Sequence, residues 1–517
     1  MQSFINWLYE IVWNPGLVYL CLAVGIFFTL RTRAVQIRGF KEALRLIFQK
    51  DKGEAGVSSL QALCMTLAGR VGTGNIAGVA TAICFGGPGS IFWMWLVALL
   101  GASSAFIEST LGQIYKEKIN GEYRGSPAFY FEKGLGCPTF GMIFAIITIA
   151  SIGFFMPGVQ SNSIANAMTN AFDLDPIITA CGVITLLSFV IFGGVKRIGK
   201  FAAIVVPFMA QAYLVIALVI MGLNIDLIPS MFKLIIDSAF GRDAVFGAMI
   251  GSAIQWGVMR GVYSNEAGQG TAVHASSAAN VSHPVKQGLV QCFSVFIDTL
   301  LVCSCTAFII LITGCYNVVD PTNGTSLVYK GLASMVEVGP AYTQLAVEKM
   351  LPGYGAAFVA IALLFFAFTT LIAYFYIVDT SVAYLNRRLK TQWLRPLLAF
   401  CLLASAAYGG FKPAVMVWQM GDIGVGIMAW LNIIVIVLLQ KPALKALADY
   451  EAQRAAGLEP VFHPERLGIT NAGYWNGNRA ETNLELENED DPSNIMLRDT
   501  KESGNRSFLD DRQLMDQ

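Results

Sequence analysis

Charge is what this 517-residue chain has little of: 14% of its residues are Asp, Glu, Lys or Arg, against about 25% in soluble globular domains. The 35 basic and 35 acidic side chains cancel, so no net positive field exists to attract nucleic acid. Histidine is scarcer still. His274, His283 and His463 are scattered, and none of the ten cysteines forms a Cys-x-x-Cys pair, which argues against a structural zinc site. The cysteines fall mostly in apolar runs, where they read as small buried side chains. Neither His-Glu-x-x-His nor Gly-x-Ser-x-Gly occurs, and the chain is not read as an enzyme. The start lacks the basic n-region of a secretory signal. It carries Glu10, and Arg31 and Arg33 follow the apolar stretch 17–30, the order of an uncleaved first span with its N-terminus outside.

Apolar residues are plentiful, at 55%. They gather in eleven runs, near 14–31, 57–85, 88–113, 137–169, 176–195, 200–223, 243–270, 285–314, 352–384, 393–410 and 417–440. A helix needs about 20 apolar residues to cross a bilayer, so the pattern predicts an all-α polytopic membrane protein. The positive-inside rule supports the alternation. Arg31, Arg33, Arg38, Lys41, Arg45, Lys50 and Lys52 fall in one expected cytoplasmic loop. Lys116, Lys118, Arg124 and Lys133 fall in the next, Lys196, Arg197 and Lys200 in a third, and Arg387, Arg388, Lys390 and Arg395 in another. The loop 271–284 is a weak member, with no Lys or Arg. The C-terminus is then cytoplasmic. Residues 442–457 read as a short amphipathic helix, and 458–517, polar and acidic, read as disordered, with any partner of this tail unknown.

The stretch Leu67-Ala68-Gly69-Arg70-Val71-Gly72-Thr73-Gly74-Asn75-Ile76-Ala77-Gly78 lies inside an apolar run. Its glycines and Asn weaken a helix. Backbone groups freed at membrane depth are tolerated where they line a cavity, and in transporters they hold substrate and ions. A second interruption is expected in 254–270, with Gly257 and Gly261 as the breakers and Arg260 and Glu266 as ionisable groups at or near membrane depth. The two lie in the first span of each of two five-span halves, 57–223 and 243–440, the placement expected of an inverted-repeat transporter. Residues 1–56 then form an extra helix and loop, and 441–517 a cytoplasmic tail.

Gly86-Gly87-Pro88-Gly89-Ser90-Ile91-Phe92-Trp93-Met94-Trp95 resembles the signature of the alanine/glycine:cation symporters. The stretches 71–78 and 260–268 resemble two further motifs of that family, and the resemblance covers roughly residues 10–450. It implies the LeuT-type fold, a five-plus-five inverted repeat preceded by one extra helix. It also implies sodium-coupled symport of alanine or glycine across a bacterial inner membrane. Amide groups of Thr73, Gly74 and Asn75 at a half-helix N-terminus suit a substrate carboxylate. The ammonium would take unwound carbonyls, beside Gly72, and the Asn75 amide oxygen. By the same resemblance Gln160 is a substrate-site residue. Trp256 and Met259, flanking Gly257, would cap a small side chain. Sodium would take the carbonyls of Ala68 and Val71 and the hydroxyls of Thr369 and Thr370. Arg70 is expected to pair with an acid among Asp298, Glu108 and Asp379. Proton coupling through Asp298 or Glu108 in the same fold is the alternative, and a passive channel a weaker one.

Overall fold

The computed structural model describes residues 2–49, 56–191, 194–332 and 336–476. Helices stand in each of the eleven apolar runs. Hydrocarbon offers no partner to a backbone amide, so a chain this apolar satisfies its backbone within each helix. Seven helical stretches are long and apolar enough to cross a membrane: Gln2–Arg31, Ser90–Tyr115, Pro138–Phe172, Arg197–Leu223, Pro284–Thr313, Gly355–Leu389 and Ala414–Leu438. Gly74–Gly86, Pro176–Ile191 and Leu394–Gly410 are apolar but shorter. The strands among the described residues form two small antiparallel hairpins, 117–124 and 317–330. An additional helix not expected from the sequence, Gln2–Val12, precedes the first run. The chain turns at Asn14, whose side chain caps the next helix by accepting from Gly16 N at 2.7 Å, with Pro15 in the first turn.

The outer surface is apolar. Ile204, Phe208, Val215, Leu218 and Leu223 all point outward from the Arg197–Leu223 helix. An exposed apolar face of this extent suits lipid rather than water. Polar side chains lie inside instead: Thr73, Asn75, Gln160, Ser264 and Asp298 are all buried.

The first interruption is built in sequence order. A capping box at Ser58 and Gln61 starts the Ser59–Arg70 helix, with Gln61 N donating to Ser58 Oγ at 3.2 Å and Ser58 N to Gln61 Oε1 at 3.0 Å. The helix stops at Arg70 because Val71 turns to ψ 88°, out of the helical region. A π-helical turn, Gly74–Gly78, then restarts it and leads into Val79–Gly86.

The second interruption is not where Gly257 and Gly261 lie. The Ile250–Asn265 helix runs unbroken through both. These glycines serve close packing: a methyl on Gly257 would sit 2.6 Å from Trp93 Cβ, and one on Gly261 would meet Val97. The helix breaks afterwards, at Glu266, Gly268 and Gly270, with φ of 54°, 85° and 85°. It resumes as the short Ala272–Ser277 turn.

The tail also departs from expectation. After the Gln440–Ala455 helix, residues 458–476 are folded against the body, with Phe462, Ile469, Tyr474 and Trp475 buried. The acidic stretch 485–491 lies outside the described residues.

Candidate functional site

The two interruptions meet. A methyl on Gly74 would lie 3.1 Å from the Tyr263 ring and 3.3 Å from Ser264 Cα, so the unwound segment of the first broken helix rests on the last turn before the second break. Asp298 joins them. It sits in a π-helical stretch, Phe296–Cys303, of the Pro284–Thr313 helix. Its carboxylate accepts from Asn75 Nδ2 at 2.6 Å, from Ser264 Oγ at 2.9 Å and from Thr299 Oγ1 at 2.7 Å. Its partners are neutral donors drawn from three helices.

Asn75 is differently employed than the sequence suggests. Its amide oxygen accepts from Gly72 N at 2.8 Å, so in this arrangement it caps the break from within. Thr73 N donates to Gln160 Oε1 at 3.3 Å, and Gln160 Nε2 donates to Tyr374 Oη at 3.2 Å. Of the expected carboxylate-binding amides, Thr73 N is thus taken by Gln160 and Asn75 N by Gly72 O at 3.3 Å. Thr73 Oγ1 and Tyr263 Oη are both buried and face one another beside the interrupted segment.

The expected sodium ligands gather only in part around Thr370. Thr370 Oγ1 lies 2.9 Å from Ala68 O and 2.9 Å from Phe366 O. The Thr370 hydroxyl thus ties the first broken helix at Ala68 to the Gly355–Leu389 helix. Thr369 Oγ1 bonds Phe366 O at 2.9 Å, the backbone habit of a mid-helix threonine, which leaves its lone pairs free. A cavity of about 20 Å³ borders Ala68, Thr369, Glu266 and Thr271, room for one water-sized occupant. Val71, three residues past Ala68, is fully buried.

The other expected residues lie elsewhere. Arg260 pairs with Asp422 through two bonds, 2.9 and 2.6 Å, both groups buried. Trp256 and Trp418 stack their rings within 5.3 and 5.0 Å of its guanidinium. Trp256 also stacks on Phe85 at 4.8 Å, and Met259 Sδ accepts from Tyr9 Oη at 3.4 Å. Trp256, Tyr9, Arg260 and Asp422 line a cavity of about 320 Å³ beside this pair. Trp256 and Met259 thus pack around the Arg260–Asp422 pair and its neighbour Tyr9, and Gly257 against Trp93.

Arg70 does not hydrogen-bond to an acid as expected. It donates to Gln291 O at 3.3 Å and to the Ser294 hydroxyl, while Nε and Nη2 are without partners. Glu266, Asp298 and Glu108 surround it within electrostatic reach. Glu266 accepts from Thr271 Oγ1 at 2.8 Å. Glu108 accepts from Gly268 N at 3.3 Å, Gly270 N at 3.1 Å and Asn432 Nδ2 at 2.8 Å, and so anchors the second break. Asp379 lies away from both breaks, paired with Arg124 at 2.8 Å and Arg395 at 2.5 Å.

Residues 1–464 match the sodium:alanine symporter family. The chain belongs to that family. A sodium/proton-dependent alanine carrier protein of Bacillus sp. strain PS3 is 50% identical, the match covering 84% of this chain and 96% of that one. An amino-acid carrier protein of Bacillus subtilis is 40% identical over 93% of this chain and all of the relative. A sodium/alanine symporter of Methanococcus maripaludis is 38% identical over 84% and 94%. A manganese transporter of Eremococcus coleocola is a distant structural neighbour, 13% identical with a TM-score of 0.45, covering 78% of this chain and 90% of that one. The protein is a multi-pass membrane symporter, not an enzyme.

Three residues of this symporter escaped sequence reasoning. Asp422, a lone acid in an apolar run, carried the same membrane-depth signal as Asp298. Tyr263 and Tyr374 carried none, because a tyrosine is at home in any helix core.

Proposed function

We propose that this symporter moves small neutral amino acids, alanine and glycine, inward with sodium by alternating access. The fold we propose is the five-plus-five inverted repeat, 57–223 and 243–440, after one extra helix, with eleven crossings, the N-terminus outside and the tail in the bacterial cytoplasm. The observation that carries this reading is the Asp298 carboxylate held by donors from both interrupted helices. A site assembled from two breaks changes shape when either half moves, which is what coupling requires.

Gly72, Thr73, Gly74 and Asn75 line the substrate, with the Thr73 hydroxyl, Gln160 and Tyr263 facing it. The substrate carboxylate replaces the Gln160 oxygen on Thr73 N. Its ammonium is drawn to the carbonyls of the break. Sodium sits between the Ala68 and Val71 carbonyls and the Thr369 and Thr370 hydroxyls, hard oxygen ligands suited to a small cation. Arg260 with Asp422 closes the outer side, and Asp379 with Arg124 and Arg395 lies on the inner side. A second reading, proton coupling, is favoured by one observation: Asp298 is buried and every hydrogen-bond partner it has is neutral.

Uptake of labelled alanine into proteoliposomes separates the two. At fixed pH an inward sodium gradient is expected to drive accumulation above the external level. Accumulation driven by a pH gradient without sodium would overturn the sodium assignment, and uptake that never exceeds equilibrium would overturn symport.

A further inference from the structure

The cytoplasmic ends of both interrupted helices are tied at one place. Residues 278–283 connect the second break to the Pro284–Thr313 helix. Val57, just ahead of the first broken helix, donates to Ala278 O and accepts from Asn280 N, both at 3.0 Å. Gln287 Nε2 adds a bond to Ser59 Oγ at 3.0 Å. The end of the Ser90–Tyr115 helix joins in, with Gln113 Nε2 on Ser276 O at 2.5 Å and Lys116 Nζ on Ala279 O at 2.8 Å.

The tail covers this knot. Phe462 N donates to Ser282 O at 3.1 Å, and Ser282 Oγ donates to Pro460 O at 2.8 Å. Glu459 pairs with Lys286 at 2.5 Å. Trp475 Nε1 donates to Gln113 O at 3.0 Å, and its ring meets Phe462 edge-on at 5.1 Å. Lys116 Nζ stands 4.6 Å from the Tyr474 ring. Asp449, on the helix before the tail, accepts from His283 Nε2 at 3.2 Å. That hydrogen bond holds the Asp449 carboxyl below the ordinary carboxylate range.

We infer that residues 458–476 form a latch that holds the cytoplasmic knot of the two broken helices closed. The inference rests on the alternating access proposed above, since an inner opening has to part Val57 from 278–280. The tail grips 282–286 from one side and 113–116 from the other, so the knot cannot open far while both grips hold. A buried tryptophan, a backbone pair and an ion pair act together, and releasing one weakens the rest.

Hydrogen exchange of the full chain in nanodiscs tests this. Trp475→Ala is expected to speed exchange across 271–283 by about fivefold or more, the factor that the loss of one intramolecular hydrogen bond carries. It is also expected to raise alanine efflux more than uptake. Trp475→Phe keeps the ring contact with Phe462 but loses the bond to Gln113 O, and is expected to keep most of the faster exchange. Glu459→Lys, at a half-exposed side chain, reaches the same end if Trp475→Ala fails to fold. Faster exchange in 458–476 with 271–283 unchanged overturns the latch. Wild-type protein that fails to transport alanine overturns the functional reading instead, and the exchange comparison still decides the latch.

Discussion

At Val71–Thr73 the chain closes its interruption with its own side chain, Asn75, two residues past the gap; at Glu266–Gly270 an internal cap is joined by pins from two neighbouring helices. Asn75 Oδ1 takes Gly72 N, and its amide nitrogen reaches Asp298. The second gap has an internal cap too, Asn265 Oδ1 taking Ala267 N at 3.0 Å, but that cap stops short of the two glycines. Glu108 and Asn432, from two other helices, hold Gly268 and Gly270. The contrast separates two duties. A gap capped from within can exchange its cap for a ligand without disturbing its neighbours. A gap pinned from outside keeps its shape only while the pinning helices stay in place.

The largest expected effect comes from breaking the internal cap. Asn75→Ala removes the Gly72 bond and the Asp298 bond together, and substrate affinity is expected to fall about 100-fold or more; expression should be intact. Wild-type affinity by calorimetry would remove Asn75 from the site. Asp298→Asn should come next, lowering uptake by about 10- to 100-fold as the donors from both breaks lose a charged acceptor. An unaltered sodium titration in that variant would mean that Asp298 only braces the helices. Glu108→Gln tests the external pin. It keeps one acceptor oxygen and loses the other, so a fall of about tenfold in maximal uptake is expected, with affinity little changed. A pure affinity loss would put Glu108 with the ligand instead. The smallest effect is expected from Thr369→Ala with Thr370→Ala, a several-fold weaker sodium activation with substrate selectivity retained. An unchanged activation curve would dismiss those hydroxyls as ligands.

The first gap was legible because Gly72, Gly74 and Asn75 interrupt an otherwise apolar run, and nothing but a backbone feature explains them there. The second was misplaced by one to two turns. Gly257 and Gly261 look like breakers in sequence, yet a small residue also lets helices touch, and only packing distinguishes the two uses. Gly268 and Gly270, which do break the helix, stood in the same segment with a charge before them. The partner of Arg260 was invisible because Asp422 lies 162 residues away in sequence. The tail was misread because its average is acidic and polar. Averages hide four apolar side chains, Phe462, Ile469, Tyr474 and Trp475, which are buried where the tail meets the body.

The glycine seam has a mechanical corollary. With Ser90, Trp93 and Val97 pressed against Gly257 and Gly261, and Glu108 of the same Ser90–Tyr115 helix holding Gly268 and Gly270, the Ile250–Asn265 rod and the break at its end rest on one shared support.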